Sequence, residues 1–358
     1  MKKKLILVFS SIIFSLFLVE MVCRFIIFEK IDYDYRKTYR LFNQGKVFKN
    51  IENFFTYHPN QKIKSNTYYY KDGKFIKVYS YDIVTNNLGL VQKNNITFGE
   101  TSILILGDSF TEGQGSSSWI DYFDGYYKNF QIINGGLLAT GFMQFGLLEN
   151  YLSNIINIKK VLVLFIGDDI RRDIYQINEQ GLSCLENYKL CTLGELEGFY
   201  GFPLTKKNPE EFLHKLKKTR DVNKKNNLLT FKTFRRAIKS KLSNLYIFKI
   251  PIGFLRSNFY KSKNIKIKKN FEAIDQLITK YGENIYFVKL TMKDEIIAKK
   301  KSYETIYVEK HILSRTKNYY ECNFNNDLSN FYVYDSHPNN KGYRNLFNCI
   351  LKILEKIN

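Results

Sequence analysis

Histidine is scarce in this chain: 358 residues contain four. Any chemistry that needs an imidazole base must draw on His58, His214, His311 or His337. No Cys/His spacing resembles a zinc site, so none of the five cysteines reads as a metal ligand, and no cofactor is expected. There is no internal repeat, which excludes solenoids and propellers. The compositional marks of disorder are missing as well, since apolar residues make up 44% of the chain. Acids are in short supply: Lys and Arg exceed Asp and Glu by 21. Net charge of that size bears on solubility and partners, not on fold. The length suffices for one large domain or two small ones.

The N-terminus combines a basic head, "MKKK", with an apolar run over residues 5–28. What a cleaved signal peptide would add is missing: "VEMVCRF" offers no small residues for cleavage. Cys23 also lacks the small preceding residue of a lipoprotein cysteine. The run of about 24 residues therefore reads as an uncleaved single-span anchor. Glu20 and Arg24 share one helix face there and can pair near the membrane boundary. The basic head favours a cytoplasmic N-terminus and an outward-facing body, although Arg36, Lys37 and Arg40 put positive charge on the far side too. Cys184 and Cys191 sit close together in a loop-like stretch, and an oxidising compartment would let them pair or leave two free thiols.

Residues 1–30 are thus expected as a signal-anchor helix, 31–98 as a connecting region of short strands and loops, and 99–358 as the main domain. In that domain "TSILILG", "FQIIN", "KKVLVLFIG" and "NIYFVKL" read as buried strands. Helices are expected from "SSSWIDYFDGYY", near "MQFGLLENYLSNII", at "NFEAIDQLITKYG" and at "NKGYRNLFNCILKILEKI". Strands alternating with helices imply a mostly parallel sheet covered on both faces. A basic insertion at about 205–269 breaks the rhythm, with twenty Lys or Arg against Glu210, Glu211 and Asp221. Within it Phe231, Phe234, Ile238, Leu242 and Leu245 recur at helical spacing among Lys232, Arg235, Arg236, Lys239 and Lys241. Such a helix lies on an anionic membrane surface or packs its stripe on the domain. The export signal argues against a nucleic-acid partner.

Two short stretches carry candidate chemistry. In "LILGDSFTEG", Ser109 follows a buried strand, at the sheet edge where open α/β folds bind ligands. It is a nucleophile there, or Asp108 and Ser109 merely cap a helix. In "VYDSHPNNKGY", Asp335 stands two residues before His337, close enough on a loop to bond the ring Nδ1. Pro338 stiffens that turn and Asn339 can cap the last helix. A serine nucleophile needs such a base and such an orienting acid. The other three histidines lack these surroundings, and His311 in "VEKHILSR" reads as a helix-surface residue.

Together these blocks resemble the SGNH, or GDSL-type, hydrolase family. "GDSFTEG" carries the serine. "INGGLLATGFMQ" is similar to the Asn-x-Gly-x-x-Gly block, "VLVLFIGDDIRRD" stands at the Gly-x-Asn-Asp position, and "DSHPNNKG" at the Asp/His block. "NNLGL", the N-terminal span and "FRRAIKSKLSNLY" look like its membrane-anchored subgroup. The resemblance implies a three-layer α/β/α sandwich and a serine esterase or O-acyltransferase acting on acyl esters of cell-surface glycans or lipids at the membrane. It implies that Ser109, His337 and Asp335 are nucleophile, base and orienting acid. It also implies an oxyanion hole from the backbone N–H groups of Ser109 and Ala139 and from residue 168. Two positions depart. Ala139 replaces a glycine, which costs strain if its φ is positive. Asp168 replaces an asparagine, and a carboxylate cannot donate a hydrogen bond. Either burial keeps Asp168 protonated, or it pairs with Arg171 or Arg172 and leaves the hole, or activity is reduced. In that last case the fold would serve as a catalytically degenerate binding or assembly module of an envelope polysaccharide system.

Overall fold

The computed structural model describes residues 37–187 (except 45, 117, 128, 175 and 176), 190, 202–203, 209–228 and 265–357, with positions 10, 11, 14, 15, 17 and 18. The rest of the expected span at 5–28, Cys191 and the amphipathic stretch at 231–245 lie outside these residues. Among the described residues no helix is long and apolar enough to cross a membrane. The chain divides into two compact units, and all the strands lie in the one formed by Tyr33–Lys217 and Ile265–Asn358.

The strands in chain order are β1 (Thr38–Phe42), β2 (Phe48–Ile51), β3 (Phe54–Tyr57), β4 (Lys62–Lys71), β5 (Lys74–Val84) and β6 (Thr101–Gly107). Then come β7 (Gln131–Gly136), β8 (Asn157–Phe165), β9 (Phe202–Pro203), β10 (Ile285–Leu290) and β11 (Tyr319–Cys322). The helices are α1 (Ser109–Glu112), α2 (Phe142–Ser153), α3 (Glu179–Glu186), α4 (Pro209–Leu228), α5 (Ile265–Tyr281), α6 (Lys293–Ala298), α7 (Tyr303–Leu313) and α8 (Asn340–Ile357).

The main sheet has five strands in the order β11-β10-β8-β6-β7, every pair parallel. β6 reads "TSILILG" and is buried from Ser102 onward, as a central strand covered on both faces must be. Ile103, Ile105, Leu162, Leu164, Val288 and Leu290 face a core shared with α8. In α8 the buried Tyr343, Leu346, Phe347, Ile350, Ile353 and Leu354 recur at helical spacing. Each such side chain contributes about 1.5–3 kcal/mol on full burial. α2 and α5 cover the other face, joined where Asn270 Oδ1 accepts the Met143 backbone N–H at 3.0 Å.

The expected strands and the last three of the expected helices form close to their predicted places, but "SSSWIDYFDGYY" does not make a helix. Only Trp119–Phe123 turns, as a five-residue 3-10 segment. Gly125, at φ 78, sits in the left-handed region just beyond it, and that breaks any continuation. Residues 38–84 also form more than short strands. β4 and β5 run ten and eleven residues and pair antiparallel, in a second sheet ordered β5-β4-β1-β9. Its apolar face packs on Phe212, Leu213 and Leu216 of α4 through Tyr39 and Leu41.

A disulfide joins Cys322, at the end of β11, to Cys349 on α8, with Cα atoms 6.0 Å apart and a separation of 27 positions in sequence. The cysteine count alone did not single out this pair. Cys184, buried on α3, is disulfide-bonded too. Loop-closure entropy for a cross-link of that span gives about 3 kcal/mol. Cys349→Ser should therefore lower unfolding free energy by about 3 kcal/mol, read from the midpoint of a urea titration under non-reducing conditions.

Candidate active site

β6 ends in Gly107, and the chain turns at once into the one-turn helix α1. A Cβ on Gly107 would lie 2.0 Å from Thr111 Oγ1 and 2.7 Å from the Leu164 carbonyl oxygen. A Cβ on Gly136 would lie 2.1 Å from the Glu112 amide nitrogen. Only glycine lets the turn settle this close to the ends of β7 and β8. Asp108 caps α1 by accepting the Phe110 backbone N–H at 2.9 Å. Capping therefore belongs to Asp108, and the Ser109 hydroxyl is left for another partner.

That partner is His337. The Ser109 hydroxyl lies 2.8 Å from His337 Nε2, and His337 Nδ1 lies 2.5 Å from Asp335 Oδ1. A carboxylate can only accept, so Nδ1 carries the ring proton and Nε2 is free to take one from the serine. Asp335 Oδ1 also accepts the His337 backbone N–H at 3.1 Å. The Tyr79 hydroxyl donates to Asp335 Oδ2 at 2.6 Å. Burial pushes the Asp335 carboxyl up, but the His337 ring, the Tyr79 hydroxyl and the His337 N–H outweigh it and hold it below the usual range.

The loop carrying Asp335 and His337 is closed at both ends. Phe331 bridges to Pro338, and the Tyr332 N–H donates to the His337 carbonyl at 3.2 Å. Lys293 Nζ donates to the carbonyls of Tyr332 and Val333 at 2.6 and 2.9 Å and to that of Asp335 at 3.3 Å. Asn339 Oδ1 accepts from Lys341 and Gly342 and caps α8, as its position suggested.

Ala139 has φ 59, the left-handed backbone in which alanine is strained. Its neighbours impose that shape. The Leu137 N–H donates to the Gly107 carbonyl at 3.0 Å, and Thr140 Oγ1 donates to the Leu137 carbonyl at 2.5 Å. Neither the Ser109 nor the Ala139 backbone N–H has an acceptor among the described residues.

Asp168 lies in the short turn Gly167–Arg171 that follows β8, with its side chain about half exposed and bonded to Arg171. Arg171 also reaches Glu304 at 3.2 Å. The expected alternative in which burial keeps Asp168 protonated does not fit this exposed ion pair. The buried carboxyl is the next one, Asp169. Burial and the nearby Asp108 push it well above the usual range, against Arg172 and the Ile166 N–H.

Several residues of the site carried no sequence signal of their own: Tyr79, Gln114, Arg40, Glu112 and Arg172. Glu112 is buried. It accepts the Tyr57 hydroxyl at 2.9 Å and faces Arg40 at 3.8 Å. Burial raises its carboxyl despite Arg40, Tyr57 and the nearby Leu138 N–H. The alternation of Tyr79 and Tyr81 along β5 marked a common face, but what that face would meet was not readable. His311 lies on α7, where it pairs with Asp275 and stacks on Phe271, away from this chemistry. Among the described residues no group of His, Cys, Asp and Glu is placed to hold a metal ion.

No protein-family model and no curated protein matches the chain. Among solved structures it is similar to a lipase/acylhydrolase from Enterococcus faecalis, at 10% identity and a TM-score of 0.35, over 72% of this chain and 96% of that one. It is also similar to a member of the lipolytic G-D-S-L family from Veillonella parvula, at 10% identity and a TM-score of 0.34, over 72% and 99% of the chains. A gut microbial diltiazem-metabolizing enzyme is similar at 14% identity and a TM-score of 0.36, over 74% of this chain and 49% of that one. These likenesses are distant, and the functional reading rests on the geometry of the site itself.

Relief of the Ala139 strain is directly measurable. Ala139→Gly should raise stability by about 1 kcal/mol, the penalty for a left-handed L-residue less the added freedom of the unfolded glycine. Calorimetric melting of the two proteins side by side checks it.

Proposed function

We propose that this chain is a serine hydrolase of the SGNH type, an esterase or O-acyltransferase. The observation that carries this reading is the unbroken line Ser109–His337–Asp335, with both bonds within hydrogen-bond reach. The Ser109 Oγ attacks an acyl carbonyl while His337 Nε2 takes its proton. The resulting oxyanion is received by the backbone N–H groups of Ser109 and Ala139, which are otherwise without acceptors among the described residues. Asp335 holds the Nδ1–H tautomer and stabilises the imidazolium. His337 then returns the proton to the departing alkoxide. Water or a sugar hydroxyl, deprotonated by the same nitrogen, attacks the acyl-serine ester and frees Ser109.

The proposed substrate is an acyl ester on a cell-surface glycan or lipid. Support comes from the apolar N-terminal run behind a basic head, which reads as an anchor holding an outward body near such polymers. Disulfide bonding at Cys322, Cys349 and Cys184 suits an oxidising compartment. The basic insertion suits an anionic surface.

A second reading, a binding or assembly module without turnover, is favoured by one observation. Position 168 offers a carboxylate where the resemblance has a donor, and the loss of one such donor costs about 2.7–4 kcal/mol. The Arg171 pair bears on this, because a neutralised carboxylate repels an oxyanion less than a bare one.

A fluorophosphonate probe tests the reactive serine. Full-length protein in detergent should be labelled at Ser109, mapped by mass spectrometry, and Ser109→Ala should abolish the adduct. A folded wild-type protein that stays unlabelled at every pH would instead support the binding module. Separately, Asp168→Asn should speed labelling by about tenfold or more, because a donor then replaces an acceptor beside the hole. An unchanged rate would mean that position 168 takes no part in receiving the oxyanion.

A further inference from the structure

The acid of the triad does not stand alone. Asp335 is 2% exposed, and both of its oxygens are engaged: Oδ1 by His337 and Oδ2 by Tyr79 at 2.6 Å. Tyr79 comes from β5, which is 256 residues earlier in the chain and belongs to the other sheet. The Tyr79 oxygen in turn accepts Gln114 Nε2 at 3.0 Å, and Gln114 Oε1 accepts Arg40 at 3.3 Å. Arg40 can only donate, so its contact fixes which way the Gln114 amide points. Each bond then runs in one direction, from Arg40 through Gln114 and Tyr79 to Asp335. Gln114 Nε2 also lies 3.2 Å from His337 Nδ1. With its proton committed to Asp335, Nδ1 has no lone pair to accept from that amide, so the approach is a contact and not a second bond.

The backbone of β5 is irregular at this position. Thr67 faces Tyr79 while Tyr68 faces Lys77, so Val78 is skipped in the pairing and forms a bulge. Bulges re-aim the side chains beside them. Arg40 is anchored independently: its Nε donates to Ser65 Oγ at 2.9 Å, and its guanidinium also bonds the Tyr81 hydroxyl. The second sheet is thus shaped and tied so that one phenol meets one carboxylate.

We propose that Tyr79 is a positioning residue of this active site: through its bond to Asp335 Oδ2, and backed by Gln114 and Arg40, it fixes the acid in the plane that orients His337 toward Ser109. This deepens the serine-hydrolase reading and rests on it. The bond also divides the Asp335 charge.

The test compares wild type, Tyr79→Phe and Gln114→Met as full-length proteins in detergent, each checked for folding by thermal melt. Fluorophosphonate labelling rates are measured across pH, together with the low-field proton resonance of His337 Nδ1–H, assigned by its loss in His337→Gln. Tyr79→Phe should label about tenfold more slowly at its plateau, the equivalent of one lost bond to a charged group. The Nδ1 resonance should shift with it. The other groups facing the pair, Lys293, Arg40, Glu112, Tyr81 and Tyr332, are unchanged in this variant. Gln114→Met should show smaller changes of the same sign, and it carries the test if Tyr79→Phe does not fold. A folded Tyr79→Phe protein with the wild-type resonance and plateau rate would overturn the proposal. Wild type that shows the resonance but never labels would sink the hydrolase reading alone, and the resonance shift in Tyr79→Phe would still decide the role of the tyrosine.

Discussion

The site depends on one partly buried cation. The Arg172 guanidinium reaches Asp108 Oδ2, Asp169 Oδ1 and the Thr140 carbonyl, each at 2.8 Å. These three belong to the turn after β6, the turn after β8 and the loop after β7. Parallel strands end side by side, but nothing in a parallel ladder fixes the loops beyond them. A permanently charged guanidinium can hold three such loops at once: Nη1 donates to Asp108 and Thr140, and its charge pairs with Asp169. Burial alone would depress its charge, and the two carboxylates more than restore it. The reverse also holds, because Asp108 and Asp169 are almost fully buried and each needs that cation. With this knot in place, Asp108 caps α1, Ser109 faces away from its own backbone, and the Ala139 loop is held in a shape alanine disfavours.

A second constraint comes from the other side of the molecule. Residues 38–84 could have been a passive lead-in to the main sheet. Instead their strands touch the site at two points. Tyr79 grips Asp335, while Tyr57 and Arg40 grip Glu112, the last residue of α1. One contact steadies Asp335 and the other steadies the helix that begins at Ser109. Arg40 serves both, through Gln114 on one hand and Glu112 on the other. Strain at Ala139 persists in such a setting because neighbours on every side over-determine it. A loosely packed loop would have relaxed to negative φ.

Much of this was legible in the sequence, for reasons that differ by residue. β6 and β8 were clear because buried parallel strands are continuous apolar runs with little else they can become. Ser109, Asp335 and His337 were readable as candidates because Ser109 follows a buried strand and Asp335 and His337 are close in sequence ahead of Pro338. The Trp119 stretch misled, since its aromatic spacing suits a helix while Gly125 ends the turn. Tyr79, Arg40 and Gln114 could not be read. Their contacts span 35 to 256 residues, and a tyrosine in an alternating strand looks the same whether it fills a core or binds a carboxylate. Arg172 was noticed only as one possible mate for Asp168. The structure gives that mate as Arg171 and gives Arg172 to Asp108 and Asp169, a choice that depends on which carboxylate each turn buries.

That division of labour between neighbouring arginines also explains how two adjacent aspartates can stand at one strand end. Asp169 is sealed in, so it is costly as a charge unless Arg172 stays with it. Asp168 remains half in water, where Arg171 neutralises it at little desolvation cost. Moving Arg172 out to Asp168 would leave Asp169 unpaired inside, the less stable arrangement. Position 168 is therefore free to vary without loss of the fold, whereas position 169 is not. The Arg172 knot that builds the site does not require an acid at 168.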